Sequence, residues 1–198
     1  MTESDENLMI SVRTGEVAKL GVLFDRHHRV LFDYFVRMTD NRMIADDLVQ
    51  DVFFRILKYR NTFRGDGQFK AWMFHIARNA RIDYYRSHPV EHVLPEEQAE
   101  ETPTTSPFPA RQLEEKQQAE MLRCALSKLA PEKREVLVLS RYHEMKYDEI
   151  SALMGCEVST VKTRVHRAMK DLREIYQQLS REKTPCNAKK SANSLRLM

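Results

Sequence analysis

Prolines concentrate in one stretch of this 198-residue chain, where five of the seven fall between positions 89 and 109. The same stretch is acidic and almost without apolar periodicity, so it cannot bury enough surface to offset its ordering entropy. We therefore expect a flexible linker over 89–112. It would separate a domain at 1–88 from a second domain at 113–180, which a basic, disordered tail at 181–198 follows.

Apolar residues on both sides of this linker recur at helical spacing, and glycine is scarce, at 5 in 198 residues. In the first domain the spacing predicts helices over about 17–24, 30–38, 44–57 and 69–86. In the second domain it predicts helices over about 113–129, 131–143, 147–154 and 160–179. The expected fold class is all-α, with two small helical domains joined by a flexible linker.

Positions 147–173 have the pattern of a helix-turn-helix. A short helix leads to Gly155, which we expect to end it in a left-handed conformation. Ser159 is expected to cap the longer helix that follows. A short helix, a tight turn and a longer helix in this order are typical of a DNA-binding module. One side of the second helix is apolar and predicted to be buried, through Val161, Val165, Ala168 and Leu172.

The other side of this second helix is basic. Segment 159–173 holds five Lys or Arg residues against one acid, Asp171. Lysine and arginine donate hydrogen bonds to guanine or to phosphate, and serine and threonine reach either kind of partner. An ordinary bundle helix with a solvated basic face is the alternative. The candidate DNA-binding residues are Ser159, Thr160, Lys162, Thr163, Arg164, His166, Arg167 and Lys170.

The predicted helix at 69–86 interleaves aromatic and basic side chains opposite an apolar stripe that contains Trp72 and Ile76. Rings stack on unpaired bases and cations follow phosphates, so such a face suits single-stranded nucleic acid. The loop before it, 62–68, adds a partly polar wall where an extruded base could sit. The alternative is that the aromatic rings belong to the core. The candidate residues are Phe63, Arg64, Lys70, Phe74, Arg78, Arg81 and Tyr85.

An acidic cluster on the predicted helix at 44–57 consists of Asp46, Asp47, Gln50 and Asp51. Like charges this close destabilise a helix slightly, unless they lie near its start or meet a partner. Because this patch would repel DNA, a functional role requires a protein partner. The alternative is an acidic face that is simply solvated.

Other classes of protein find little support. No apolar run approaches the roughly 20 residues that span a bilayer, and the acidic start differs from a signal peptide, so we expect a cytoplasmic protein without membrane insertion. The three cysteines form no C-x-x-C pair, and the seven histidines form no H-E-x-x-H motif. We therefore expect no catalytic residues, no metal site and no cofactor.

Several of these segments resemble region 2 and region 4 of the extracytoplasmic-function (ECF) sigma factors of bacterial RNA polymerase. The region 2 resemblance rests on 46–53 (DDLVQDVF), 63–66 (FRGD) and 69–79 (FKAWMFHIARN). The region 4 resemblance rests on 126–136 (LSKLAPEKREV), 147–151 (YDEIS) and 160–168 (TVKTRVHRA). Together they cover about 15–86 and 113–176.

The resemblance implies a non-enzymatic factor that directs core RNA polymerase to promoters and assists DNA melting. Asp47, Gln50 and Asp51 would dock on the clamp helices of the β′ subunit, and region 4 would contact the β flap. An anti-sigma factor is a further candidate partner.

For promoter DNA, the resemblance implies two separate contacts. Phe63 and the loop to Gln68, with Asn79, would capture a flipped base of the −10 element. The melted strand would be guided by Arg78, Arg81 and Tyr85. The −35 element would be read in the major groove by Lys162, Thr163, His166 and Arg167.

Two other functions stay open at this point. A classical helix-turn-helix regulator would use 1–86 as a sensor or dimerisation domain and would bind duplex DNA without polymerase. It leaves the acidic cluster and the aromatic–basic helix unexplained. An enzyme is the weaker alternative, because no nucleophile and base are arranged together in the sequence.

Overall fold

The computed structural model describes residues 3–65, 68–88 and 109–183, with the backbone alone at 109–115 and at 183. All regular elements in this part of the chain are helical, which confirms the all-α prediction. None of its helices is long and apolar enough to cross a membrane. The α-helices are α1 (Asp5–Thr14), α2 (Lys19–Thr39), α3 (Arg42–Lys58), α4 (Phe69–Ser87), α5 (Pro109–Ser127), α6 (Pro131–Leu137), α7 (Tyr147–Met154) and α8 (Val158–Lys183).

The first domain consists of α1 to α4 and departs from the predicted helices in two ways. The predicted helices at 17–24 and 30–38 are one continuous helix, α2, because the polar residues between them contain no helix breaker. Helix α1 was not predicted at all, and it buries Leu8, Met9 and Val12 against the other helices. Asn41 caps α3, since its side-chain oxygen accepts a hydrogen bond from Ile44 N at 3.1 Å.

The second domain consists of α5 to α8. Helix α5 begins at Pro109, inside the segment predicted as a linker, and positions 89–108 and 184–198 lie outside the described residues. The predicted helix at 131–143 is divided. It is α-helical to Leu137 and continues as a π-helical turn over Val138–Tyr142, where His143 N donates to Val138 O at 3.1 Å.

The helix-turn-helix has the predicted form at its turn but not at its cap. Gly155 ends α7 at a φ of 63°, in the left-handed region that glycine adopts without strain. The prediction that Ser159 caps α8 is wrong. The first helical hydrogen bond of α8 runs from Val161 N to Glu157 O at 3.1 Å, so Ser159 lies within the first turn. Its hydroxyl donates to the Glu157 carboxylate at 3.2 Å.

The two domains pack against each other. The buried residues of both form one continuous apolar cluster, and α2 and α4 of the first domain contact helices of the second. Across this boundary, Arg134 Nη1 donates to Met38 O at 3.1 Å, and the Arg37 guanidinium lies 4.3 Å from the centre of the Tyr142 ring. Part of α4 is therefore covered by the second domain.

Candidate nucleic-acid and protein interfaces

The recognition helix of the helix-turn-helix is the N-terminal half of α8. Its predicted apolar stripe is confirmed, because Val161, Val165 and Ala168 are buried and Leu172 is partly buried against the core. Burial of this stripe fixes which side of the helix reaches solvent. The opposite side is consequently held outward by packing.

The outward side of α8 carries most of the predicted DNA contacts. Thr160 and Arg164 are half-buried, and Arg164 lies 3.8 Å from Glu132. Asp171 is paired with Lys133 of α6, so it opposes the basic face less than a free carboxylate would. What remains is a predominantly basic surface. Its exposed members are Ser159, Lys162, Thr163, His166, Arg167 and Lys170.

The loop before α4 is partly turned inward. The ring of Phe63 is only 2% exposed and packs 5.3 Å from Trp72 and 6.2 Å from Phe69, measured between ring centres. Arg64 is exposed. Of the loop that was expected to receive a base, Asp66 and Gly67 lie outside the described residues. Phe63 thus supports the loop from beneath in this arrangement.

Helix α4 divides its predicted single-strand-binding residues between two environments. Asn79 is exposed, with its side-chain nitrogen 3.1 Å from His75 Nδ1, and Tyr85 is half-buried. Burial raises the pKa of the Tyr85 phenol. The expectation that Phe74 and Arg81 lie on an exposed face is wrong, because they are 0% and 9% exposed. The second domain covers them.

Glu135 of α6 is the centre of that covering contact and is itself 2% exposed. Its Oε1 accepts a hydrogen bond from the Tyr34 hydroxyl at 2.9 Å and lies 3.1 Å from Arg81 Nη2 and 3.4 Å from Arg78 Nε. Burial, reinforced by the Glu135 charge, raises the pKa of Tyr34 far above its usual range. The phenol therefore stays protonated and donates.

A second contact covers the start of α4. Lys70 Nζ donates to the backbone oxygen of His143 at 2.6 Å, and the His143 ring lies 5.0 Å from the Phe74 ring centre. Burial, with the nearby charges of Lys70 and Arg37, lowers the pKa of His143 to about 4. The imidazole is therefore neutral near pH 7, and it packs against the rings of Tyr34 and Phe74.

The acidic cluster lies on α3, where it was predicted, and its four residues differ in exposure. Asp46, Asp47 and Gln50 are exposed. Asp51 is half-buried and accepts a hydrogen bond from Arg55 Nε at 2.9 Å, and Arg55 also donates to Asp83 of α4 at 2.7 Å. Asp51 thus helps to join two helices as well as lining the acidic surface.

Two functional candidates on α3 escaped the sequence reasoning. Met43 and Phe54 are each 65% exposed, which is unusual for such large apolar side chains. With Asp47 and Gln50 they have spacings of four, three and four residues, so all four lie along one side of the helix. That periodicity was present in the sequence. We call Met43, Asp46, Asp47, Gln50 and Phe54 the α3 surface.

Comparison with known families gives two separate matches, one on each side of residues 90–118. Residues 23–89 match the family model described as Sigma-70 region 2. Residues 119–172 match that of Sigma-70, region 4. The α3 surface and α4 thus fall in the first match, and the basic face of α8 falls in the second.

Named relatives are similar over most of their length. RNA polymerase sigma factor YlaC of Bacillus subtilis is 32% identical over 77% of this chain and 88% of its own. RNA polymerase sigma factor CarQ of Myxococcus xanthus is 31% identical over 81% and 90%. ECF RNA polymerase sigma factor SigL of Mycobacterium tuberculosis is 30% identical over 83% and 92%.

Solved structures agree with this placement. CnrH, bound to the cytosolic domain of CnrY, superposes with a TM-score of 0.67 at 26% identity, over 89% of this chain and 99% of its own. RpoE of Bartonella quintana, in complex with the anti-sigma factor NepR, gives a TM-score of 0.63 at 23% identity over 79% and 96%, which supports the fold alone. The chain belongs to the ECF family of RNA polymerase sigma factors.

Proposed function

We propose that this sigma factor uses three separate surfaces to place core RNA polymerase on a promoter and to open the DNA. The supporting observation is that the exposed basic face of α8 and the exposed α3 surface belong to different domains of one chain. Their charges are opposite, so one suits DNA and the other suits a protein. A factor that must hold both at once needs this separation.

For the −35 element, α8 would lie in the major groove with its exposed basic face toward the base edges. Lys162 and Arg167 can donate to guanine, while Ser159 near the helix start suits a phosphate. Thr163 and His166 lie between them on the same exposed side. Arg164 and Thr160, which are half-buried, suit backbone contacts that fix the register.

For the −10 element, Arg64 and Asn79 are the exposed candidates for capture of an extruded base, beside the half-buried Tyr85. A captured base stabilises the open DNA only if the protein binds it better than the duplex does. Lys70, Phe74, Arg78 and Arg81 would join this surface once the second domain no longer contacts α4. The phosphates of the melted strand would then replace Glu135 as partners of the two arginines.

For core polymerase, the α3 surface would dock on the β′ clamp helices, and the second domain would meet the β flap. Exposed Phe54 and Met43 supply apolar area beside the exposed carboxylates, a combination that suits a protein interface better than acids alone. Docking at two separated places on the polymerase would provide the free energy that draws the two domains apart.

The same proposal covers the remaining expectations. The factor performs no bond chemistry of its own and works in the cytoplasm, where core polymerase and the chromosome are found. An anti-sigma protein is a further partner class, by analogy with the complex in which RpoE of Bartonella quintana was solved. Such a partner would compete with polymerase for the exposed surfaces of both domains.

Core dependence of DNA binding tests this proposal against a classical helix-turn-helix regulator. Promoter-length duplexes selected from the native genome are incubated with the isolated chain, with core polymerase alone, and with both. We expect sequence-specific retention only when both are present. Equal retention and equal specificity with the isolated chain would instead support the classical regulator.

A further inference from the structure

Helix α1 carries none of the candidate site residues, and it precedes the region 2 match, which begins at residue 23. It is nevertheless firmly attached to the first domain. Asp5 receives hydrogen-bonding contacts from Arg26 at 2.6 Å and His27 at 2.7 Å. Although burial opposes it, these contacts lower the pKa of Asp5. The buried side of the helix is thereby fixed on α2.

The other side of α1 touches the loop before α4 at three places. Arg13 Nη1 donates to the backbone oxygen of Phe63 at 2.7 Å. Glu6 Oε1 accepts a hydrogen bond from Phe69 N at 3.2 Å. Between them, Ile10 lies under Gly65, where an added Cβ would be 3.1 Å from Ile10 Cδ1.

These three contacts all come from one side of α1. Positions 6, 10 and 13 are spaced by four and three residues, so they share one side of α1. They meet positions 69, 65 and 63 in reverse order, so α1 runs antiparallel to the direction from residues 63–65 to the start of α4. Gly65 has a φ of +81°, which glycine adopts without strain, and its lack of a Cβ lets the backbone approach Ile10.

The Glu6 contact also completes the start of α4. Gln68 occupies the N-cap position of that helix but makes no side-chain capping bond. The first N–H groups of a helix need acceptors and favour a negative charge nearby. The Glu6 carboxylate supplies both from a distant part of the chain. Helix α1 therefore fixes where the loop ends and α4 begins.

We propose that Glu6, Ile10 and Arg13 are positioning residues for base capture. Their contacts hold the backbone on both sides of Arg64 and the start of α4, so they fix where Arg64 and Asn79 would receive an extruded base. This inference rests on the proposed function of the loop and adds to it a part of the chain outside the family match. A pocket that selects a base must be held in place by its surroundings, since small displacements weaken the selection. The base preference at the −10 element should then depend on α1.

A holoenzyme assay separates positioning from general stability. Wild-type and variant full chains are combined with core polymerase on promoters in which each −10 position is varied. Open complexes are counted by the fluorescence of 2-aminopurine beside the melted region. The variants are Arg13→Ala and Glu6→Ala, each beside a conservative partner, Arg13→Lys and Glu6→Gln. Asn7→Ala is the matched control, because Asn7 is exposed on the same helix.

For Arg13→Ala we expect open complexes on the preferred promoter to fall about tenfold, because a hydrogen bond from a charged donor is lost. The preference among bases at the captured position should flatten, while the −35 preference and core affinity stay as in the wild type. Arg13→Lys and Glu6→Gln should recover most of the loss, since each keeps one hydrogen-bonding group. Asn7→Ala should match the wild type.

Two results would overturn the inference. One is an unchanged −10 base profile in both alanine variants. The other is a loss of open complexes that tracks a fall in melting temperature or core affinity, which indicates a merely structural helix. Failure of the underlying function is recognisable separately, because then the wild-type holoenzyme itself shows no base preference.

Discussion

At the scale of single residues, Arg167 and Arg81 carry the same charge in opposite surroundings. Arg167 is exposed on α8, whereas Arg81 is buried beside Glu135 of the other domain. A buried ion pair is costly to break from one side, because the remaining charge is left unpaired. Arg167 is therefore accessible to a binding partner in this arrangement, whereas Arg81 would become accessible only if Glu135 moved away.

Replacing Arg167 by alanine tests the recognition face. We expect the −35 preference of the holoenzyme to fall about tenfold or more, as for one lost base contact of roughly 1–3 kcal/mol. Core affinity should not change, since this side of α8 is assigned to DNA. Competition binding with promoters that carry and lack the −35 element measures both. Arg181→Ala, an exposed arginine farther along the same helix, is the charge-matched control.

His143 predicts a pH dependence of the packed arrangement. Its pKa is about 4 when it is buried against Tyr34, Lys70 and Arg37 and returns toward about 6.5 when the domains separate. The separated state then binds more protons between these values. Acidification through that window should weaken the packing by up to about 3 kcal/mol, an effect absent above pH 6.5.

Energy transfer between dyes on the two domains, followed from about pH 7.5 to pH 4, measures this opening. His143→Gln should remove most of the dependence within the window, because glutamine does not titrate. An identical pH profile in this variant would assign the effect to other groups.

At the scale of elements, α3 buries one side in the apolar core of the protein and exposes the other, the α3 surface, to solvent. Exposed Asp47 and Phe54 contribute little to folding, so their replacement should leave the melting temperature nearly unchanged. We expect Asp47→Ala and Phe54→Ala each to weaken core binding by about 1–2 kcal/mol, typical of interface residues. Titration with labelled core polymerase measures this, with Asp25→Ala, an exposed acid on α2, as the control. Unchanged affinity for core polymerase in both variants would show that the α3 surface does not bind it.

Sequence periodicity predicted those elements that are amphipathic by themselves. Helix α7 has its predicted limits, and the stripe of Val161, Val165 and Ala168 is buried as expected. It failed where tertiary contacts decide. Helix α1 begins with an acidic, polar segment, in which Asp5 and Glu6 have their partners on α2 and at the start of α4. Ser159 does not cap α8, because the helix already begins at Val158 and Glu157 O accepts its first helical hydrogen bond.

At the scale of the whole molecule, Glu135 holds the domains together through groups far away in the sequence. Its partner Tyr34 is 101 positions distant, so no local pattern indicates the contact. The sequence placed Phe74 and Arg81 on the outward side of α4, but Phe74 packs against Tyr34 of α2 as well as His143 of the second domain. It could not show that the second domain occupies that side. The helices that carry the candidate residues were thus predictable, and the accessibility of those residues was not.

Glu135→Gln tests whether this contact keeps the molecule closed. Glutamine can still accept from Tyr34 but leaves buried Arg81 and half-buried Arg78 without a counter-charge. An unpaired buried charge typically costs several kcal/mol. We expect a larger radius of gyration in small-angle scattering and tighter binding of single-stranded −10 DNA to the free chain. Glu132→Gln, an exposed position on the same helix, is the control. A variant as compact as the wild type, with unchanged DNA affinity, would contradict this role of Glu135.

Transcription from a genomic promoter library with purified core polymerase tests directly whether this chain guides the polymerase to specific promoters. With the added chain, we predict new start sites that share one −35 block and one −10 block at a fixed spacing and that are absent with core alone. Start sites indistinguishable from those of the core-only reaction would contradict the account.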